Sequence, residues 1–166
     1  MSLLNRRTLL MLPLALAACG FTPVYGPGGN GTALYGNVLV QAPEETDTDS
    51  ESDSYALVRE LEQRLGRGGG SYTLELKLRT TDNGQAFTRD NEITRYALTG
   101  TASYRLLRTS DGSVAASGEV DNFTGYSATG STVETLAGER DAHLRLMVIL
   151  ADQITTELFL TDLDGA

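Results

Sequence analysis

From Tyr72 to Arg79 the chain alternates with a period of two. Tyr72, Leu74, Leu76 and Leu78 fall on one side, and Thr73, Glu75, Lys77 and Arg79 on the other. Successive side chains of a strand point to opposite faces, so this pattern predicts a β-strand with one buried and one wet face. A second run begins at Thr94, where Tyr96, Leu98, Ala102, Tyr104 and Leu106 share a face. Gly100 interrupts that face, which predicts a bulge or the close approach of another element. Between the two runs "TDNGQ" reads as a turn. "SDGS", Ser110 to Ser113, predicts a hairpin with Asp111-Gly112 at its centre, followed by a fourth strand from Val114 to Thr124. A first strand is expected within Thr32 to Gln41.

Elsewhere the period lengthens to that of a helix. Leu57, Val58, Leu61 and Leu65 line one face of a helix over Ser54 to Leu65, with Ser52 or Asp53 as its cap and Gly66 just past its end. Thr135 to Leu160 predicts a long helix. Its stripe is Leu136, Leu144, Met147, Val148, Ala151, Ile154 and Leu158, widened by Leu146, Leu150 and Phe159. The order β-α-β-β-β-α predicts an α+β fold: a two-layer sandwich of a four-stranded, mostly antiparallel sheet with both helices on one face. The other face carries Thr, Arg and Glu and is left wet. Such a shape suits binding rather than chemistry.

The front of the chain has a different logic. Arg6 and Arg7 precede an apolar run from Leu9 to Ala18, broken by Pro13. That is the order of a secretory signal, and the run is shorter than the roughly 20 residues a membrane span requires. Small residues then lead to the chain's only cysteine, as Leu16-Ala17-Ala18-Cys19. This resembles a bacterial lipobox, in which the thiol receives diacylglycerol and becomes the acylated first residue. The alternative is ordinary cleavage after Ala-x-Ala. That would leave an exported free thiol with no partner for an intrachain disulfide. The expected organisation is a lipoprotein signal peptide at 1–18, an acylated Cys and flexible tether at 19–31, and one domain at 32–166 with an acidic loop at 43–54. No cofactor is expected beyond the diacylglycerol and N-acyl chain on Cys19. Two or more acyl chains anchor a protein stably to a membrane. Asn5 to Leu10 also looks loosely like a twin-arginine export signal, so the export route stays open. Gly20 after the cysteine resembles lipoproteins sent to the outer membrane.

Removing residues 1–18 leaves roughly 150 residues, enough for a single core. The formal net charge is −9 for the whole chain, and the loss of Arg6 and Arg7 makes it more negative by two. A surface of that sign argues against nucleic acid as a partner. All 13 basic residues except Lys77 are Arg. Arginine pairs bidentately with phosphate and carboxylate, although codon usage in a high-GC genome gives the same bias.

The chain offers little for catalysis. Its single histidine, His143, lies in the final helix without an obvious nucleophile. "GYSATG", Gly125 to Gly130, misses G-x-S-x-G by one residue. Asp47, Asp49 and Glu51 imitate the start of an EF-hand loop, but Ser52 replaces the turn glycine and Val58 the bidentate Glu. One histidine and an acylated cysteine do not make a cluster of metal ligands. Neither an enzyme nor a metal site is expected.

Three stretches together resemble the LptE family of lipopolysaccharide-assembly lipoproteins, in its alphaproteobacterial form. They are "CGFTPVYG" from Cys19, "TRYALTGTASYRL" from Thr94 and "YSATGSTVETLAGERDAHLRLMVILADQI" from Tyr126. The resemblance implies an outer-membrane, lipid-anchored protein whose domain faces the periplasm or the lumen of a barrel. Its partners would be an LptD-like β-barrel and lipopolysaccharide, which the pair inserts into the outer leaflet. It also implies lipopolysaccharide contacts through basic residues at one end of the sheet. Arg89 is the nearest positional match and Arg95 the second. The alternative for each is a solvated arginine paired with Asp90 or Glu92. A second basic cluster is missing, and the acidic stretch from Glu44 to Ser54 has no counterpart in the family pattern. A competing reading is an accessory lipoprotein of another envelope lipid-transport complex.

Overall fold

The structure, a computed structural model, describes residues 24–26, 29–43, 51–87, 89, 92–161 and 163. Its elements are α1 (Asn30–Leu34), β1 (Val38–Val40), α2 (Glu51–Leu65), β2 (Tyr72–Phe87), β3 (Ile93–Arg108), β4 (Val114–Ser127) and α3 (Thr132–Leu160). The strands form one sheet in the order β1-β2-β3-β4. β1 runs parallel to β2, and β2, β3 and β4 are an antiparallel meander. The α+β class, the mostly antiparallel sheet and the two helices packed together over it are as the sequence predicts, with α1 as an addition.

The even-numbered positions of β2 and β3 meet in register as Leu74 with Leu106, Leu76 with Tyr104 and Leu78 with Ala102. All six are buried, as are Ala116 and Val120 of β4 beside them. α2 contributes Leu57, Leu61 and Leu65, and α3 contributes Leu146, Met147, Leu150, Ile154 and Leu158, all without solvent exposure. Removing this apolar surface from water is what holds the helices to the sheet. Gly100 is explained here. The β2–β3 register runs straight through it, so there is no bulge. A Cβ at Gly100 would lie 2.8 Å from Leu146 Cδ2 and 3.2 Å from Leu150 Cδ1, so its bare backbone is where α3 comes closest to the sheet.

Several expectations are corrected. Thr32 to Leu34 belong to α1, and only Val38–Val40 form a strand. Gly36, at φ 75°, turns the chain between them. "TDNGQ" is not a turn, because β2 continues to Phe87 with Thr81 to Gly84 paired to Thr99 to Tyr96. α2 starts at Glu51, so Ser52 and Asp53 lie inside the helix rather than capping it. Gly66 does take the left-handed conformation, φ 77°, just past its end. α3 starts earlier than Thr135. Ser131 caps it in a capping box, its hydroxyl accepting from the Glu134 N–H at 3.4 Å while its own N–H donates to Glu134 Oε2 at 2.8 Å. The α3 stripe is also rotated from the one expected. Leu136, Leu144 and Val148 are 40–48 % exposed, while Ala142 and Thr155 are buried.

Candidate functional site

Residues 1–18 and Cys19 lie outside the described residues, as does most of the acidic stretch, 44–50. The position at which the chain enters the fold is well defined. The Gly31 N–H donates to the Val24 carbonyl at 2.9 Å. Tyr25 packs edge-on against Phe159 with ring centroids 5.6 Å apart. The Asn30 amide donates to the carbonyls of Phe159 and Thr161. These contacts fasten the entering chain to the C-terminal end of α3.

Arg89 lies exposed in the connection between β2 and β3. Arg95 is exposed on β3, in register with Ala86 on one side and Ser127 on the other. Among the described ion pairs none involves either arginine. Asp90 lies outside the described residues. The Thr94 carbonyl accepts from the Ala128 N–H at 2.9 Å, just before α3 begins, so both arginines belong to the N-terminal end of that helix. α3 has 29 residues, and at about 1.5 Å per residue it spans about 43 Å. The arginine tip and the entry of the chain are therefore at opposite ends of the molecule. The wet face between them is lined by polar pairs such as Glu75 with Arg105 at 3.6 Å and Ser103 with Glu119 at 2.8 Å.

The helix-facing side of the sheet becomes polar towards the same tip. Beyond Leu78 it continues as Thr80 and Asp82 on β2 and Asn122, Thr124 and Tyr126 on β4. These residues meet the polar ends of both helices. His143 Nδ1 lies 2.7 Å from Oδ2 of Asp53, which is only 2 % exposed. The Thr80 hydroxyl donates to the same oxygen at 3.4 Å. His143 Nε2 points the other way, 3.9 Å from Asp82 Oδ2. Glu139, one turn earlier on α3, completes a group with Asp82 and His143 whose donor atoms lie within 4.8 Å of one another. The Tyr126 phenol stacks on Tyr96 at 5.2 Å, close enough to Asp82 to feel its charge. Burial pushes the Tyr126 pKa up, and the charges of Asp82 and Glu139 push it further.

The hydrogen bond to Asp53 holds the imidazole above its ordinary pKa, against the opposing effect of burial. Below the ordinary value of 6.5 the imidazolium is formed in folded and unfolded chains alike, and the pairing contributes in full. As pH rises from there through the raised folded value, that contribution is lost. The stability difference between the wild type and His143→Gln, from denaturant unfolding at a series of pH values, is expected to shrink as pH rises above 6.5. A difference that stays flat or grows would contradict the pairing. The arrangement is not a hydrolytic triad, because Nε2 faces carboxylates rather than a hydroxyl. This group was not legible along the chain, since its members come from β2, α2 and α3.

Comparison with known proteins now decides the family. The model of the lipopolysaccharide-assembly LptE family matches residues 36–158, well over half of the chain. The chain belongs to the LptE family. It is a lipopolysaccharide-assembly lipoprotein and not an enzyme. Its fold is similar to that of a putative lipoprotein from Caulobacter crescentus, with TM-score 0.59 and 20 % identity over 79 % of this chain and 93 % of that one. It is also similar to rare lipoprotein B from Shewanella oneidensis, with TM-score 0.53 and 10 % identity over 74 % and 91 %. Lipoprotein B from Nitrosomonas europaea gives TM-score 0.55 and 12 % identity over 75 % and 83 %. At these identities the structures speak for the fold alone. No curated protein sequence matches.

Proposed function

We propose that this LptE-family chain is held by an acylated Cys19 at the outer membrane and partners an LptD-like β-barrel, presenting Arg89 and Arg95 to lipopolysaccharide on its way to the outer leaflet. The observation that carries this reading is the separation of the two ends. The entry of the chain is fastened beside the C-terminal end of α3, and the arginine tip lies at the other end of that helix. The roughly 43 Å length of α3 exceeds the roughly 30 Å hydrocarbon thickness of a bilayer. A domain anchored at one leaflet and inserted in a barrel lumen therefore has the length to bring its tip to the other leaflet. No helix of the described residues is long and apolar enough to cross a membrane by itself. Exposed arginines without a described carboxylate partner are free to form charge-assisted pairs with lipid phosphates.

The test is the double charge reversal Arg89→Glu with Arg95→Glu. Each arginine replaced by Glu turns a phosphate attraction into a repulsion, so binding to lipopolysaccharide is expected to fall about tenfold or more. The wild-type interaction should also weaken with added salt. Both positions are exposed, so melting is expected to be unchanged. Unaltered binding by a folded double variant would remove lipopolysaccharide contact from the tip.

A further inference from the structure

We propose that Asp82, Glu139 and His143 form a binding site for a divalent transition-metal ion of the zinc type, beneath the arginine tip. This rests on the side-chain cluster and not on the lipopolysaccharide reading.

The donor set fits such an ion. Imidazole nitrogen with carboxylate oxygens suits zinc and its neighbours, whereas magnesium and calcium prefer oxygen alone. The three donor atoms lie within 4.8 Å of one another, and His143 Nε2 is 3.9 Å from Asp82 Oδ2. Zinc bonds of about 2.0–2.2 Å place tetrahedral ligands about 3.3–3.6 Å apart, so the donors need to draw together by about 1 Å. Glu139 and His143 are one helical turn apart on α3 and present their side chains side by side. Asp82, exposed to solvent, faces them from β2.

The shell around the donors also fits a bound metal. A metal-bound imidazole characteristically donates its other N–H to a carboxylate, which fixes the tautomer and the ring orientation. Asp53 provides this, nearly completely buried and 2.7 Å from Nδ1. It directs Nε2 towards Asp82 and Glu139.

The local charge favours a cation. Three carboxylates, those of Asp53, Asp82 and Glu139, surround a single imidazole. Among the described ion pairs His143 is the cation that Asp53 and Asp82 meet, and Glu139 has none. With both ring nitrogens protonated the group keeps a net negative charge, and a divalent ion that replaces the Nε2 proton adds one further positive charge and reduces it. A bound ion would join β2 to α3 and stiffen the end of the sheet that carries Arg89 and Arg95.

The chain has one histidine, so a selectively labelled imidazole is a unique reporter. The measurement is the ¹⁵N spectrum of His143 in the untagged, acylated full-length mature chain in detergent, titrated with ZnCl₂ at about pH 8, where proton competition is reduced. The Nε2 resonance is expected to shift and saturate at one equivalent, with magnesium and calcium leaving it in place. Asp82→Asn and Glu139→Gln are each expected to weaken the binding about tenfold or more while melting as the metal-free wild type does. An imidazole unmoved by zinc would overturn the proposal. So would a shift whose affinity is the same in both folded variants, since the ion would then be held elsewhere.

Discussion

Leu150→Ala is expected to cost about 2–5 kcal/mol of unfolding free energy, the range for a leucine truncated in a closed core. Leu150 has no solvent exposure and lies over Gly100, where α3 meets the centre of the sheet. Neighbours that are themselves fully buried, Leu146, Met147 and Ile154 among them, leave little freedom to collapse into the space, which favours the upper half of the range. At about 2–4 °C per kcal/mol for a domain of this size, the melting temperature should fall by roughly 7–20 °C. The exposed Val148→Ala, two residues away on the same helix, is expected to change stability by under about 1 kcal/mol. Thermal and urea unfolding of the two variants side by side would check this. Equal effects at both positions would mean that α3 is seated with a different face on the sheet.

Gly100→Val is expected to destabilise the protein by about 1–3 kcal/mol, although strand propensity alone argues for the opposite sign. Valine is a good strand residue and glycine a poor one, a preference of up to about 1 kcal/mol. Against it stands the contact of 2.8 Å that even the first carbon would make with Leu146 Cδ2, before the two methyl groups are added. Leu146 and Leu150 are both fully buried, so neither has an open direction in which to turn. Overpacking therefore wins. In a Leu146→Ala background the penalty should shrink, giving a coupling of about 1 kcal/mol or more in a double-mutant cycle. If Gly100→Val stabilises the protein, α3 does not approach the sheet at this point.

Much of this core could be read from periodicity alone. Leu74, Leu76, Leu78, Leu98, Ala102, Tyr104 and Leu106 each fall on the face that the alternation predicts. Gly100 was visible as an interruption, but only the helix above it explains the gap. The misreadings have physical causes. "TDNGQ" has the residues of a turn, yet β3 offers it a partner in continuous register, and that pairing overrides local preference. Ending β2 there hid the parity of Asp82, which follows Leu74, Leu76 and Leu78 to the helix side. Ser131-Thr132-Val133-Glu134 carries the capping-box pattern, and reading it would have started α3 in the right place. Leu136, Leu144 and Val148 satisfy helical spacing without being buried. α2 begins to cover α3 beside His143, and the stripe α3 buries is centred on Leu146, Leu150 and Ile154.

The candidate site was legible only in part. Arg89 and Arg95 were placed at one end of the sheet by family resemblance, and the fold puts them at the same tip. The group of Asp53, Asp82, Glu139 and His143 was beyond reach, because four residues from three elements converge only after the helices are docked. Asp53 reads locally as a helix cap, and nothing in its neighbours in the chain pairs it with a histidine 90 positions away.

The proposed role of this assembly lipoprotein is as the partner of an outer-membrane barrel. Its most direct test is purification of the acylated protein from the membranes of its own cells after gentle crosslinking, with mass spectrometry of what accompanies it. A stoichiometric outer-membrane β-barrel of much larger mass is expected. A protein that emerges alone, or bound to an inner-membrane lipid transporter, would contradict it.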